Sequence, residues 1–333
     1  MDYGAVGDVK TDDSQVYLRV YEGMEAICQD KTGVPILNIP EGRTFLLKPA
    51  TFRGPFRSPR LRLVAGVSVT VVYMSDPWVS HQLVNWLTFS SADGLIIMGR
   101  GQIDGQGSAR WSQPCYQKPI PDVLTFDRCS GLRINGLTHI NSPKSHIRLT
   151  NCNGVVISNL RTVAPQNSPN TDGIDFFTSI NVRVRNSVIG TGDDCIAITA
   201  GSSNVNIPGI SCGPGHGTSI EALGRGGYDT VEEVRARNCT FKGTVNGVRL
   251  KTCAGRNGYA RKISFEGIMF KDVGNPITID QFYCPSQDNC QNKGHANIKL
   301  SHISFNGILG TSTTDQVISL SCSQSVGWAN IKL

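Results

Sequence analysis

Asn151-Cys152-Asn153-Gly154-Val155-Val156-Ile157-Ser158-Asn159-Leu160 is the stretch that decides the fold. A polar turn leads into an alternating apolar run, which stops at Asn or Gly before a second apolar run begins. The unit occurs earlier as Arg128-Cys129-Ser130-Gly131-Leu132-Arg133-Ile134-Asn135-Gly136-Leu137 and as Ser91-Ala92-Asp93-Gly94-Leu95-Ile96-Ile97-Met98-Gly99. Anchored on its first apolar residue, it recurs at Leu95, Leu132, Val155, Val182, Val205, Val234, Ile263, Ile298 and Ile331, at spacings of 37, 23, 27, 23, 29, 29, 35 and 33. A period in the twenties with irregular insertions fits a solenoid of parallel strands, in which loops absorb the variation. Leucine-rich repeats keep a tighter consensus, and propeller blades need roughly 40 residues per unit. Asn and Gly at the coil corners supply the left-handed backbone that sharp turns between strands require.

Outward from that unit, no Pro/Ser-rich linker, low-complexity block or charge run divides the 333 residues. The 36 Gly and the low charged fraction of 17% belong to an all-β chain with frequent turns. The expectation is one domain over residues 1–333, a single-stranded right-handed parallel β-helix. Asp12-Asp13-Ser14 carries helix-start chemistry, and Val16, Val20, Met24 and Ile27 recur at three- or four-residue steps. Residues 13–28 are therefore expected to form an amphipathic helix that caps the first coil. The last residues, Ala329-Asn330-Ile331-Lys332-Leu333, open a fresh coil, so a C-terminal cap is expected to be missing.

The partners are narrowed by the same inventory. No apolar run approaches the ~18 residues of a membrane span, so no membrane partner is expected. The net charge of +6 suits an acidic partner. Lys and Arg are scattered and no nucleic-acid motif appears, which excludes nucleic acid. Eleven Cys fit an oxidising compartment, and none has the paired CxxC spacing of a zinc site, so disulfides are expected and no metal or other cofactor. Met1-Asp2-Tyr3 is not a basic-then-apolar leader, so for a secreted, extracellular protein the signal peptide lies outside this sequence.

Four segments concentrate unusual polar residues: Asn170-Thr171-Asp172, Gly192-Asp193-Asp194, Gly215-His216-Gly217 and Arg249-Leu250-Lys251. Alone, each reads as an ordinary turn or an exposed strand face. Their offsets from successive anchors are similar, which puts them in one column, because stacked strands lie about 4.8 Å apart. Three crowded acids raise one another's pKa, so one stays protonated near neutrality while another remains ionised. Glycoside hydrolysis needs that division between a proton donor and a carboxylate that attacks or activates water. Acids two coils apart would stand about 8–10 Å apart in backbone, near the gap that admits a water and inverts the anomeric centre. An Arg-x-Lys pair on one strand face binds a carboxylate, which an acidic sugar polymer would supply.

In that order the four segments resemble the signature of polygalacturonases, the pectin-hydrolysing glycosidases of the plant type with a pectin-lyase-like β-helix. The longer stretches Asn170-Thr171-Asp172-Gly173-Ile174-Asp175, Gly190-Thr191-Gly192-Asp193-Asp194-Cys195 and Gln281-Phe282-Tyr283-Cys284 match as well, as does Asp2-Tyr3-Gly4-Ala5 with Thr11-Asp12-Asp13. The resemblance implies hydrolysis of α-1,4-galacturonosyl linkages with inversion by a monomer in the cell wall. It implies Asp193 as general acid, Asp172 with Asp194 as the pair activating water, and His216 tuning the site's protonation. It implies galacturonate contacts from Arg249, Lys251 and Tyr283, and disulfides Cys195–Cys212 and Cys284–Cys290.

This chain also departs from the family. Val9 stands where Gly is usual, residues 63–74 do not follow the usual coil sequence, and Cys253 takes a position commonly Trp. Trp328 takes one commonly Cys, which leaves Cys322 without its expected partner. Glu221 stands where Gly is usual after the Gly-His-Gly segment. On an extended strand, its odd spacing from His216 turns it inward, whereas a bend would bring it onto the substrate face. Two rival readings stand beside the polygalacturonase: a catalytically impaired pectin-binding homologue, which these departures favour, and a pectate lyase, which shares the fold but relies on bound Ca²⁺ or an Arg base.

Overall fold

The computed structural model describes residues 2–27, 34–55, 60–65, 69–70, 85–111, 120–224, 227–253, 257–283 and 297–333. Its strands form parallel sheets of ten, eleven and nine strands, plus a two-stranded pair at the N-terminus. Successive strands visit the three large sheets in turn, so each coil adds one strand to each and pairs with the coils on either side. This is a right-handed parallel β-helix.

The quoted stretch sits in the middle of the eleven-stranded sheet. Val155 pairs with Val182, Val182 with Val205, Val205 with Val234 and Val234 with Ile263, as the spacing predicts. One anchor was misplaced. Ile263 pairs with Ile303, not Ile298, and Ile303 pairs with Ile331. Ile298 faces Gly258 instead, because these two strands run ten residues and offer two apolar stretches to anchor on. Coils also begin earlier than the repeat announced: Ile36–Ile39 and Leu61–Ala65 extend the same sheet. Leu61–Ala65 and Val69–Thr70 are ordinary coil strands despite their divergent sequence.

The corners obey backbone sterics. One column of turns holds Gly136, Asn159, Asn186, Gly209, Asn238 and Gly267, all at φ between 49° and 84°. Asn and Gly tolerate that left-handed conformation at little cost. Inside, apolar side chains from all three sheets merge into one cluster running from Tyr21 to Phe305. Phe52, Phe89 and Phe126 stack in it, with ring centroids 4.8 and 5.4 Å apart.

The helix spans Ser14–Ile27 and starts one residue inside the expected bound, while residue 28 lies outside the described residues. Asp13 starts it: its carbonyl accepts from Val16 and Tyr17, and its carboxylate accepts from the backbone N–H groups of Val6 and Gly7. The face packed on the core carries Tyr17, Leu18, Val20 and Tyr21, so of the expected stripe Val20 is seen on it, and the side chains of Met24 and Ile27 lie outside the described ones. Tyr21 meets Phe52 edge-on at 4.8 Å and Tyr17 meets Phe45 at 5.5 Å, which closes the first coil. At the other end Trp328 is no defect. It packs on the core, and its Nε1 donates to Gln281 Oε1 at 2.5 Å, while Cys322 stays a free thiol.

Candidate active site

The ten-stranded sheet carries the site on its outward face. Ile174 pairs with Ile196 and Ile196 with Thr218, so Asp172, Asp194 and His216, each two residues earlier, lie on adjacent coils. Asp175, Ala197, Ser219 and Arg249 form the next row. The acids are thus one coil apart rather than two. Asp172, Asp193 and Asp194 each place a carboxylate oxygen within 4.8 Å of the others.

Each turn is shaped for this. Gly192 donates its N–H to Thr171 Oγ1 at 2.9 Å, and a Cβ there would lie 2.0 Å from Ser168 O. Gly217, at φ +90, leaves no room either: its Cβ would meet Gly247 O at 2.1 Å. The disulfide Cys195–Cys212 ties the strand after Asp193-Asp194 to the turn leading to His216, with Cα atoms 6.0 Å apart. The implied Cys284–Cys290 bridge lies outside the described residues.

Asp193 accepts from the backbone N–H of Asp194 at 2.9 Å, and the same oxygen lies 2.9 Å from His216 Nδ1. Burial pushes its carboxyl up, but the hydrogen bond and charge of His216 outweigh that and hold it below the usual carboxylate range. The bond to Asp193 in turn raises His216. Asp194 is deeply buried and accepts from Ser219 Oγ at 2.8 Å, Arg249 Nη2 at 3.2 Å and Lys251 Nζ at 3.4 Å. Burial raises it to about 6 against the pull of Lys251 and Arg249. Asp172 is pushed far up, first by burial and then by the charges of Asp175, Asp193 and Asp194. The strongest proton holder is therefore Asp172, whereas the crowding of three acids did not say which it would be.

The cationic rim is contiguous with the acids. Arg249 Nε also donates to Ser219 Oγ at 3.2 Å, and Lys251 Nζ stands 5.0 Å from the centre of the Tyr283 ring. All seven residues singled out in the sequence meet here. By distance the three acids could hold a cation, but Arg249, Lys251 and His216 supply positive charge to the same oxygens.

Three neighbours escaped the sequence reading. Ser219 bridges Asp194 and Arg249, and nothing marked it except its place in the row. Asp175 accepts from Ser145 Oγ at 2.6 Å and is raised to about 7 by burial, partly offset by that bond. It was legible only as part of the Asp172 motif. Glu221 was noticed but not partnered: its Oε2 lies 2.5 Å from Lys251 Nζ. Thr218–Leu223 is a strand, so Glu221 shares the outward face with Ser219, and a register shift follows between Ile220 and Leu223. The turn at Gly217 breaks the parity with His216 that an inward Glu221 assumed.

A solenoid face that gathers three acids, an imidazole and two cations beside an aromatic ring is the constellation of an acid–base enzyme. The profile of glycosyl hydrolases family 28 matches residues 28–333. A probable polygalacturonase of Arabidopsis thaliana is 44% identical over 99% of this chain and 71% of its own length. A polygalacturonase of Persea americana is 38% identical, over 97% of this chain and 70% of its own. Among solved structures, the endo-xylogalacturonan hydrolase of Aspergillus tubingensis superposes with a TM-score of 0.85 over 98% of this chain and 91% of that one, at 23% identity. The polygalacturonase of Erwinia carotovora ssp. carotovora gives 0.70 over 98% and 92%, at 22% identity. The chain belongs to glycosyl hydrolases family 28 and is a glycoside hydrolase.

Proposed function

We propose that the protein hydrolyses α-1,4-galacturonosyl linkages of pectic galacturonan with inversion, as one monomeric domain working in the cell wall without membrane or nucleic-acid partners. The single domain is supported by the unbroken core cluster. The observation that carries the catalytic reading is the split among the three acids, with Asp193 bound to His216 and Asp194 held by Ser219, Arg249 and Lys251.

The proton for the leaving oxygen comes from the His216–Asp193 pair: it rests on His216, whose pKa the 2.9 Å contact raises, and passes through Asp193 to the leaving oxygen as the glycosidic bond breaks. Of Asp172 and Asp194, the one that is ionised takes a proton from the attacking water. Asp172 keeps its proton more readily, so Asp194 is the base. Arg249, Lys251 and Tyr283 line the subsite for the sugar unit. The rule that reads stereochemistry from the gap between two carboxylates is written for pairs. The three acids place carboxylate oxygens within 4.8 Å of one another, closer than the gap from which the sequence reading argued inversion. Inversion therefore rests on the family resemblance, and the product anomer is measured directly, by NMR in the first minutes of reaction.

The deciding experiment is product analysis on polygalacturonate. Saturated reducing ends whose first anomer is β support the proposal. Unsaturated, ultraviolet-absorbing ends mean a lyase. No product from folded protein means a binding homologue, the reading that the Glu221–Lys251 pair favours.

A further inference from the structure

We infer that Glu221 determines specificity at this site, replacing the substrate's own carboxylate on Lys251, so that the subsite takes a galacturonosyl residue whose C6 carboxyl is methyl-esterified in preference to a free one. The inference rests on the hydrolase reading above and deepens it.

Lys251 Nζ lies 2.5 Å from Glu221 Oε2 and 3.4 Å from Asp194 Oδ2, and its side chain is only 5% exposed. Its positive charge is already answered twice. Arg249, the other cation of the rim, is committed to Asp194 at 3.2 and 3.4 Å and to Ser219 at 3.2 Å. A free galacturonate carboxylate arriving here meets a second carboxylate on the cation it needs. It must displace Glu221 from a partly buried ion pair, in which the Glu221 side chain is 22% exposed, or sit beside it unpaired, and like charges in such surroundings are disfavoured. A methyl ester asks for no cation. It accepts hydrogen bonds through its carbonyl oxygen, and its methyl group can lie against the Tyr283 ring, 5.0 Å from Lys251 Nζ.

The position of Glu221 makes the pairing inescapable. Ser219 pairs with Arg249 on neighbouring coils, and alternation puts Glu221 and Lys251 on the same outward face one step further along. Ile220, between Ser219 and Glu221, is buried in the core and fixes that alternation. With Gly at 221, Lys251 would keep only its longer contact to Asp194 and would be open to an incoming carboxylate.

The test compares kcat and KM on fully de-esterified polygalacturonate and on highly methyl-esterified pectin of the same chain length, for the unaltered protein, Glu221→Gln and Glu221→Gly. The unaltered protein is expected to have the higher kcat/KM on esterified pectin. Both variants free Lys251, and they should move the ratio toward polygalacturonate by about tenfold or more, the factor that 1.4 kcal/mol of discrimination gives. Most of the change should lie in KM for the de-esterified polymer. Gln keeps the volume of Glu, so if the Gly variant folds poorly the Gln variant still decides. An unaltered protein that prefers polygalacturonate, or a ratio that stays the same in Glu221→Gln, overturns the inference and leaves the hydrolase reading intact. Absence of saturated products from both polymers, in all three proteins, sinks the hydrolase reading and this inference with it.

Discussion

At the scale of single residues, the site is a set of competing proton holders. His216 and Asp193 share one proton across a short contact, so removing the carboxyl removes the donor and leaves the shape. Asp193→Asn should lower kcat by about 10²–10⁴, with oligogalacturonate binding nearly kept. Calorimetric titration beside initial rates checks both, and an active Asn variant would refute the assignment. The pH profile should be bell-shaped. Its acid limb belongs to Asp194, raised to about 6, which must be ionised to act as base. Its alkaline limb belongs to the proton held by His216, whose pKa lies above the ordinary imidazole value. Far from the site, Val9 adopts φ +69, a left-handed conformation that a β-branched side chain resists. Such strain costs roughly 1–3 kcal/mol, so Val9→Gly should raise stability by about 1 kcal/mol or more in denaturant melts, with activity unchanged. An unchanged midpoint would mean that the strain is not there.

At the scale of elements, the site depends on turns being held against each other. The disulfide closes a separation of 17 residues between the strand after Asp194 and the strand before the His216 turn. Cross-linking a loop of that size stabilises by about 3 kcal/mol in the chain-entropy view. Cys195→Ser with Cys212→Ser should therefore lower stability by about 2–4 kcal/mol. Because the tether also sets the distance from Asp193 to His216, kcat should fall while the pair is still folded. A double variant with unaltered kcat well below its melting temperature would make the bridge purely structural. The capping helix follows the same logic at the N-terminus, where Tyr17 and Tyr21 cover rings of the first coils.

At the scale of the molecule, burial of charge sets how stability responds to pH. Asp172, Asp175 and Asp194 all have raised pKa values, Asp175 to about 7 and Asp194 to about 6. The folded state then holds protons that the unfolded chain has released. That stability is full below the ordinary carboxylate value and is lost as pH rises through the raised ones. Buried His139, lowered to about 4 by burial, and His146, lowered by burial and by His139, act in the other sense. Their contribution is lost as pH falls below the free imidazole value. Well above pH 6.5 both of these imidazoles are neutral folded and unfolded, so the acids count there, together with His216, whose raised pKa holds a proton in the fold in the same sense. The free energy of unfolding should fall between about pH 7 and 8, by up to about 1.4 kcal/mol per pH unit for each proton held only in the fold, and the melting temperature with it. Asp175→Asn, which mimics the protonated form, should flatten part of that fall. A slope unaffected by the substitution would mean that Asp175 is already ionised in the fold.

By itself the sequence determined the solenoid, its corners and the meeting of seven singled-out residues on one face. Those depend on local facts: apolar alternation, the left-handed tolerance of Asn and Gly, and four motifs whose offsets repeat with the coil. It went wrong at Ile298 because a ten-residue strand offers two apolar stretches, and only pairing across coils chooses Ile303. The tertiary structure alone decided that Glu221 faces Lys251, since a turn at Gly217 resets the alternation and the partner lies one coil away. It alone decided which acid keeps its proton. Asp172 and Asp193 are the same residue type in similar turns, but one is crowded by buried carboxylates and the other is bound to an imidazole. Proton affinity depends on charges gathered through space, which spacing along a chain does not encode.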